Sequence, residues 1–102
     1  MTYPFLSLST VLKFEPLAKQ RGVSQVARSS RGFLTQYKRT GQLMLDPWWR
    51  NRRNNFISLH MAQLIDNDEP LFKDDGTPTR RHLALIMWAY SPVPGQLRSA
   101  AR

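Results

Sequence analysis

The stretch "LALIMWAY", Leu83 to Tyr90, holds eight consecutive apolar residues in a chain that is otherwise rich in charge. A surface helix buries one stripe and leaves the opposite face wet, so a run with no polar position fits only an element covered on most sides. The run is far short of the roughly 20 residues that a membrane-crossing helix needs. Its Leu, Ala and Met content favours helix over buried strand, and Thr77-Pro78 or Thr79 supplies a start while Ser91-Pro92 supplies a stop. The segment is therefore expected to be the central helix of the core, and everything else must pack around it.

The remaining segments also read as helices. The chain has 102 residues, of which 41% are apolar, enough for one domain with a single modest core. Asp46-Pro47 combines a capping side chain with proline at the first helical position, and "PWWRNRRNNFISLHMAQLI" continues to Ile65 without a breaker. The second half of this helix is apolar around much of its circumference and is expected to be its more buried half. Glu15-Pro16 reads as the start of a short helix that stops at Gly22. Ser24 reads as the cap of another, with Val23, Val26, Ala27, Ser30, Phe33, Leu34 and Tyr37 on one face and Gly41 at its end. Gly32 lies inside this pattern, which leaves open one continuous helix or two helices broken around Ser29 to Gly32. A turn is expected at Asp74-Asp75-Gly76. The architecture expected is all-α, one domain over residues 1–102 with four to five helices, and room for a helix-turn-helix within residues 16–40.

Charge is the second constraint, and its distribution matters more than its total of +8. From Pro16 to Ile65 nine basic residues (Lys19, Arg21, Arg28, Arg31, Lys38, Arg39, Arg50, Arg52, Arg53) face one acid, Asp46, for a net of +8. Five of the seven acids crowd into residues 66–75: Asp66, Asp68, Glu69, Asp74 and Asp75. A basic surface turned to a polyanion, with an acidic loop pointing elsewhere, produces such a split. Nucleic acid is the polyanion that a small basic protein most often meets. On the segment Phe33 to Thr40, Thr35 and Arg39 fall opposite the apolar side with Gln36 and Lys38 on the flanks, all side chains able to reach phosphates or base edges. "WWRNRRNN" mixes aromatics with arginine and asparagine, which suits stacking and phosphate contact. A structural account of the same stretch has Trp48, Arg52 and Phe56 spaced i, i+4, i+8, with Arg52 lying over aromatic faces and Arg50 and Arg53 left to solvent. The expected nucleic-acid contacts are Arg28, Arg31, Thr35, Gln36, Lys38, Arg39, Arg50, Arg52 and Arg53. Duplex DNA held chiefly through phosphates is the first reading, RNA is not excluded by charge, and an acidic host protein is the alternative partner.

Other classes find little support in the residues. There is no cysteine, so disulfides and thiolate metal sites are unavailable, which fits a reducing cytoplasm. His60 and His82 stand in no metal-ligand spacing and beside no carboxylate in sequence; His60 is expected at the edge of the core, and no enzyme activity, cofactor or metal is expected. "DNDEPLFKDDG" lacks the glycine and the bidentate glutamate of a calcium loop. "MTYPFLSLSTVLKF" lacks the basic start and cleavage site of an export signal, so a soluble cytoplasmic protein without membrane contact is expected.

Two resemblances add context. Residues 22–39, "GVSQVARSSRGFLTQYKR", resemble the helix-turn-helix of small antitoxin-like repressors, which carry a "GxSxVAR…G" sequence before a second helix with tyrosine. Ala27 to Gly32 spans five residues where that motif has four. More widely, "YPFL", the same "GVSQVARSSRGFLTQYKR", "WRNRRNNFISLHMAQ" and "PLFKDDGTPTRRHLALIMWAYSPVPG" together are similar to a family of short basic proteins of unknown function from tailed phages, other viruses and marine bacteria. That resemblance implies context alone, a small phage-type protein acting inside a host cell, in its cytoplasm or nucleoid, and it brings no chemistry and no site residues. In that setting the alternative to nucleic-acid binding is a small interaction protein, a host-takeover factor or a virion component, whose basic face docks on an acidic partner.

Overall fold

The computed structural model describes residues 3–100, with side chains as far as Leu97. Five helices account for the architecture: α1 Leu8–Gln20, α2 Phe33–Thr40, α3 Pro47–Asp66, α4 Arg80–Met87 and α5 Pro94–Ala100. Among the described residues there is no strand, only an isolated bridge between Phe72 and Pro78. The radius of gyration, 12.8 Å, is that of one compact domain of about this length, near 13 Å.

The apolar run sits at the centre, as its composition demands. Thr79 caps α4 by accepting from the His82 amide, and Leu83, Leu85, Ile86 and Met87 are fully buried. The helix ends one turn earlier than the apolar run does, because Ala89 takes φ +59° and turns the chain back. Trp88, just past the end, is sandwiched between Phe33 (centroids 4.9 Å apart, 18° between planes) and Phe56 (4.7 Å, 20°). This stack ties α2, α3 and the end of α4 together, and offset ring pairs of this kind add about 0.5 to 1.5 kcal/mol each beyond their buried area. Helices α1 and α3 both pack on α4.

Helix α1 begins half its length before the expected start at Pro16. Ser7 caps it by accepting from Thr10 N (3.3 Å), and Val11, Phe14 and Ala18 form its buried stripe at spacings of three and four. Pro16 lies inside the helix on its exposed side. The proline removes one backbone donor, and the buried stripe on the other side carries the helix through it.

The helix expected from Ser24 does not form. Residues 25–32 are turns and bends, Ser24 itself takes φ +55°, and the chain is helical only from Phe33. The break at Gly32 is thus real, but a single helix follows it instead of a pair. The cause is a close approach: a Cβ on Gly32 would overlap the carbonyls of Val26 and Ala27. With Gly32 in place, Ala27 O accepts from Leu34 N (2.9 Å) and Thr35 Oγ1 donates to Ser29 O (2.6 Å), so the turns fold over the start of α2. Without a first helix, residues 24–40 do not form a helix-turn-helix, whose two helices are joined by only three or four residues.

Helix α3 starts as its cap predicts, with Asp46 accepting from Trp48 N at 2.8 Å. Its burial corrects a second expectation. Only Arg53 and Ile57 are buried along its whole length, and in its later half Leu59 (58% exposed) and Ile65 (67%) face solvent. Neighbouring elements cover one side of this helix and nothing among the described residues covers the other. Gly76 (φ +86°) makes the turn expected at residues 74–76. Among the described residues no helix is long and apolar enough to cross a membrane.

Candidate nucleic-acid interface

A guanidinium carries five N–H donors in a fixed plane and seeks as many acceptors. In a small domain with long turns, backbone carbonyls without amide partners are the nearest acceptors, and several arginines are used there. Arg53 is the extreme case. It is 1% exposed and donates to the carbonyls of Trp88 (2.7 Å), Ala89 (2.8 Å), Tyr3 (2.9 Å) and Pro4 (2.9 Å), with its plane 3.7 Å from the Phe5 ring centroid. Burial pushes its pKa down to about 10, which leaves it charged at neutral pH. Arg53 was expected at solvent and in contact with phosphate; it is instead a cross-brace between the chain start and the end of α4. Arg50 donates to Leu45 O (3.2 Å) and Gln42 O, and Arg28 donates through Nε to Val23 O (2.9 Å). These two are half-buried braces, not the free cations that were expected. Arg21 and Arg80, which charge counting did not single out, brace Pro78 O and Arg21 O in the same way.

The other candidates divide by their partners. Thr35 is spent on Ser29 O. Lys38 is exposed and pairs with Glu15 at 2.8 Å, and an exposed pair of this kind is worth under about 1 kcal/mol, little enough for a phosphate to displace. Arg31 and Arg39 are exposed with no side-chain hydrogen bond among the described residues. Arg52 is exposed and lies over the Trp48 ring at 4.7 Å, the stacking that the spacing predicted, whereas Phe56 has turned away to Trp88 and His60. Of the tryptophan pair, Trp49 joins the core edge and Trp48 remains 55% exposed.

Helix α2 and the start of α3 come together across the connection between them. Gln36 and Thr40 line one cleft of about 630 Å³ with Leu43, Met44 and Arg50. Arg50 also borders a second cleft, about 470 Å³, lined by Gln42, Asn51 and Asn54. Arg39 follows Gln36 by one helical turn and shares its side of α2. Gln36, Arg39, Asn51, Arg52 and Asn54 thus present hydrogen-bond donors from this pole.

Five of the seven acids lie at or beyond the opposite end of α3, while Asp46 caps its start and Glu15 pairs with Lys38. At 1.5 Å rise per residue, Arg52 and Asp66 are separated by about 21 Å along its axis. Two of the four acids beyond Asp66 are engaged locally: Glu69 accepts from Arg81 Nε at 2.7 Å and Asp75 accepts from Thr77 N and Oγ1 at 2.9 and 2.6 Å, contacts that hold both carboxyls below their ordinary pKa.

Two histidine clusters were not legible from spacing. Arg81 donates to Gln63 (2.8 Å) and to His60 Nδ1 (2.7 Å) besides Glu69, so the His60 proton resides on Nε2. Burial and Arg81 push its pKa down, and its ring rests on Phe56 at the core edge, where it was expected. His82 is fully buried; its Nδ1–H donates to Leu71 O (2.8 Å) and its Nε2 accepts from Ser91 Oγ (2.7 Å). Ser91 Oγ also accepts from Val93 N (3.1 Å), so this serine–histidine pair pins the α3–α4 and α4–α5 connections to α4 with its polar atoms occupied. No group of three His, Asp or Glu side chains gathers as for a metal among the described residues.

No known protein family, characterised protein or solved structure matches this chain. The geometry alone therefore carries the functional argument.

Proposed function

We propose that this protein binds nucleic acid, duplex DNA in the first instance, through the pole formed by α2 and the start of α3. The observation that carries the reading is the separation of charge. Arg31, Lys38, Arg39 and Arg52 stay at the surface, while five of the seven acids lie from the last residue of α3 onward and the two on this side, Glu15 and Asp46, are bound to Lys38 and to the Trp48 amide. A polyanion approaching that pole meets cations, and counterion release supplies the affinity. The phosphate contacts position the protein and carry little sequence information; Gln36, Asn51 and Asn54 are the side chains able to add it. The phage-type setting that the sequence resembles suits a small binder of this kind.

Four cations set the expected salt dependence. The logarithm of the binding constant should fall against the logarithm of salt concentration with a slope near −3.6, about 0.9 per phosphate neutralised. Anisotropy titrations with duplex, single-stranded and RNA probes over a salt series measure it. Arg39→Ala and Arg52→Ala should each lower the slope by about one. A folded parent with no salt-dependent binding to any of the probes would refute the reading and leave an acidic protein surface as the partner.

A further inference from the structure

The turn between α2 and α3 exposes apolar surface that phosphate binding does not use. Leu43 is 89% and Met44 77% exposed, side by side, and Trp48 follows at 55%. Single exposed apolar residues are common, and of the seven large ones among the described residues only Leu43 and Met44 are adjacent in sequence. The turn that carries them is held on both sides. Gly41 ends α2 with φ +73°, Leu45 is 3% exposed and anchors the return, and the Arg50 guanidinium donates to the carbonyls of Gln42 and Leu45. One buried-side clamp thus grips the residue before the pair and the residue after it. The pair stands on a fixed base instead of collapsing onto the cleft beside it.

We propose that Leu43 and Met44 form a wedge that enters duplex DNA between two base pairs from the minor groove, unstacking and bending it. The inference rests on the nucleic-acid reading above. Leucine and methionine are among the side chains that such wedges employ, and the unstacking is offset when the bent duplex wraps more of a basic surface. The exposed cations near the turn, Arg39 one residue before the end of α2 and Arg52 on the second turn of α3, supply that surface. The size of the tip favours a base step over a lipid layer: exposed Gln42 and Asp46 bound the apolar stretch, so insertion stops after one side-chain length. Flexible pyrimidine–purine steps should be entered most readily, because they unstack at least cost.

The test uses the intact chain and duplexes carrying 2-aminopurine at successive steps, with end labels for energy transfer. The parent should raise the fluorescence at one or two steps and shorten the end-to-end distance. Leu43→Ala with Met44→Ala should melt as the parent does, since both side chains are exposed, and should keep its salt slope. It should lose the fluorescence rise and the bend, with affinity reduced about tenfold. If the parent binds with the expected salt slope but unstacks nothing, the wedge is wrong and the phosphate reading stands. Loss of all salt-dependent binding removes both. A parent that leaves duplex DNA stacked, yet binds phosphatidylserine vesicles in a manner abolished by the double substitution, assigns the tip to a lipid surface and overturns the proposal.

Discussion

Replacing Arg53 tests the brace that organises the fold. Its four acceptors are the carbonyls of Tyr3, Pro4, Trp88 and Ala89, of which Ala89 O also accepts from Leu6 N at 2.7 Å. Arg53→Ala therefore strips three carbonyls of the partner seen here and removes the packing over Phe5. An unsatisfied buried acceptor costs about 1 to 3 kcal/mol. Tyr3 and Pro4 are near enough to the surface to recover water, so about 3 to 5 kcal/mol is expected in total, against the 5 to 15 kcal/mol of a typical domain. For about 100 residues each kcal/mol moves Tm by about 4 to 8 °C, so the variant should melt at least roughly 12 °C below the parent. Arg53→Lys keeps the charge with three donors on one atom and no plane to lay over Phe5, and should lose about half as much. Thermal circular dichroism and urea titration read both. Because Arg53 is buried, the lysine variant should keep the parent's salt slope for nucleic acid below its Tm. If Arg53→Lys melts within about 3 °C of the parent, the brace is not a major source of stability and the reasoning fails.

Gly32→Ala should cost about 1 to 3 kcal/mol by overpacking against the Val26 and Ala27 carbonyls, seen as a lower urea midpoint; an unchanged midpoint would mean that the turn over α2 is loose. Leu85→Ala and Ile86→Ala should each cost about 2 to 5 kcal/mol, and a parent-like melt for both would remove α4 from the core. Burial holds the His82 pKa below that of a free histidine, about 6.5, so below that pH the unfolded chain takes up a proton that the native chain refuses. Its contribution is complete above pH 6.5 and falls as the pH drops through it, by up to about 1.4 kcal/mol per unit, with His60 adding in the same direction; a urea midpoint that stays level from pH 7.5 to 5.5 would contradict this.

Signals written in a few adjacent residues survived into the structure. Asp46-Pro47 and Thr79 start α3 and α4, the apolar run is buried, and Arg52 lies over Trp48 at the predicted spacing. What failed depended on the path of the folded chain, which periodicity does not record. Pro16 resembles a helix start until the buried stripe Val11, Phe14, Ala18 on the far side of α1 is known. The helix from Ser24 had acceptable spacing, but Gly32 is placed by its approach to two carbonyls that no periodicity records. The later half of α3 has apolar residues on every side, and sequence does not tell how far its neighbours extend. Among the candidate contacts, arginines were counted as surface charge when Arg28, Arg50 and Arg53 serve backbone carbonyls, and the Thr35 hydroxyl is likewise taken by Ser29 O. The pattern "WWRNRRNN" places Arg53 on the inward side of α3 next to Trp49 and Phe56 by helical spacing, which is the one local clue to its burial.

The brace at Arg53 also fixes when the domain can close during synthesis. Leu6 N bonds to Ala89 O, and the same guanidinium that grips Tyr3 and Pro4 grips Trp88 and Ala89. A ribosome delivers these two ends of the contact roughly 80 residues or more apart. Helices α1 to α3 can form as they emerge, but their common surface stays uncovered until α4 has left the exit tunnel, and loop closure over such separations is slow. Until then the emerging segment is a cationic, half-assembled intermediate, and residues 3–6 lock in place only when Trp88 and Ala89 arrive.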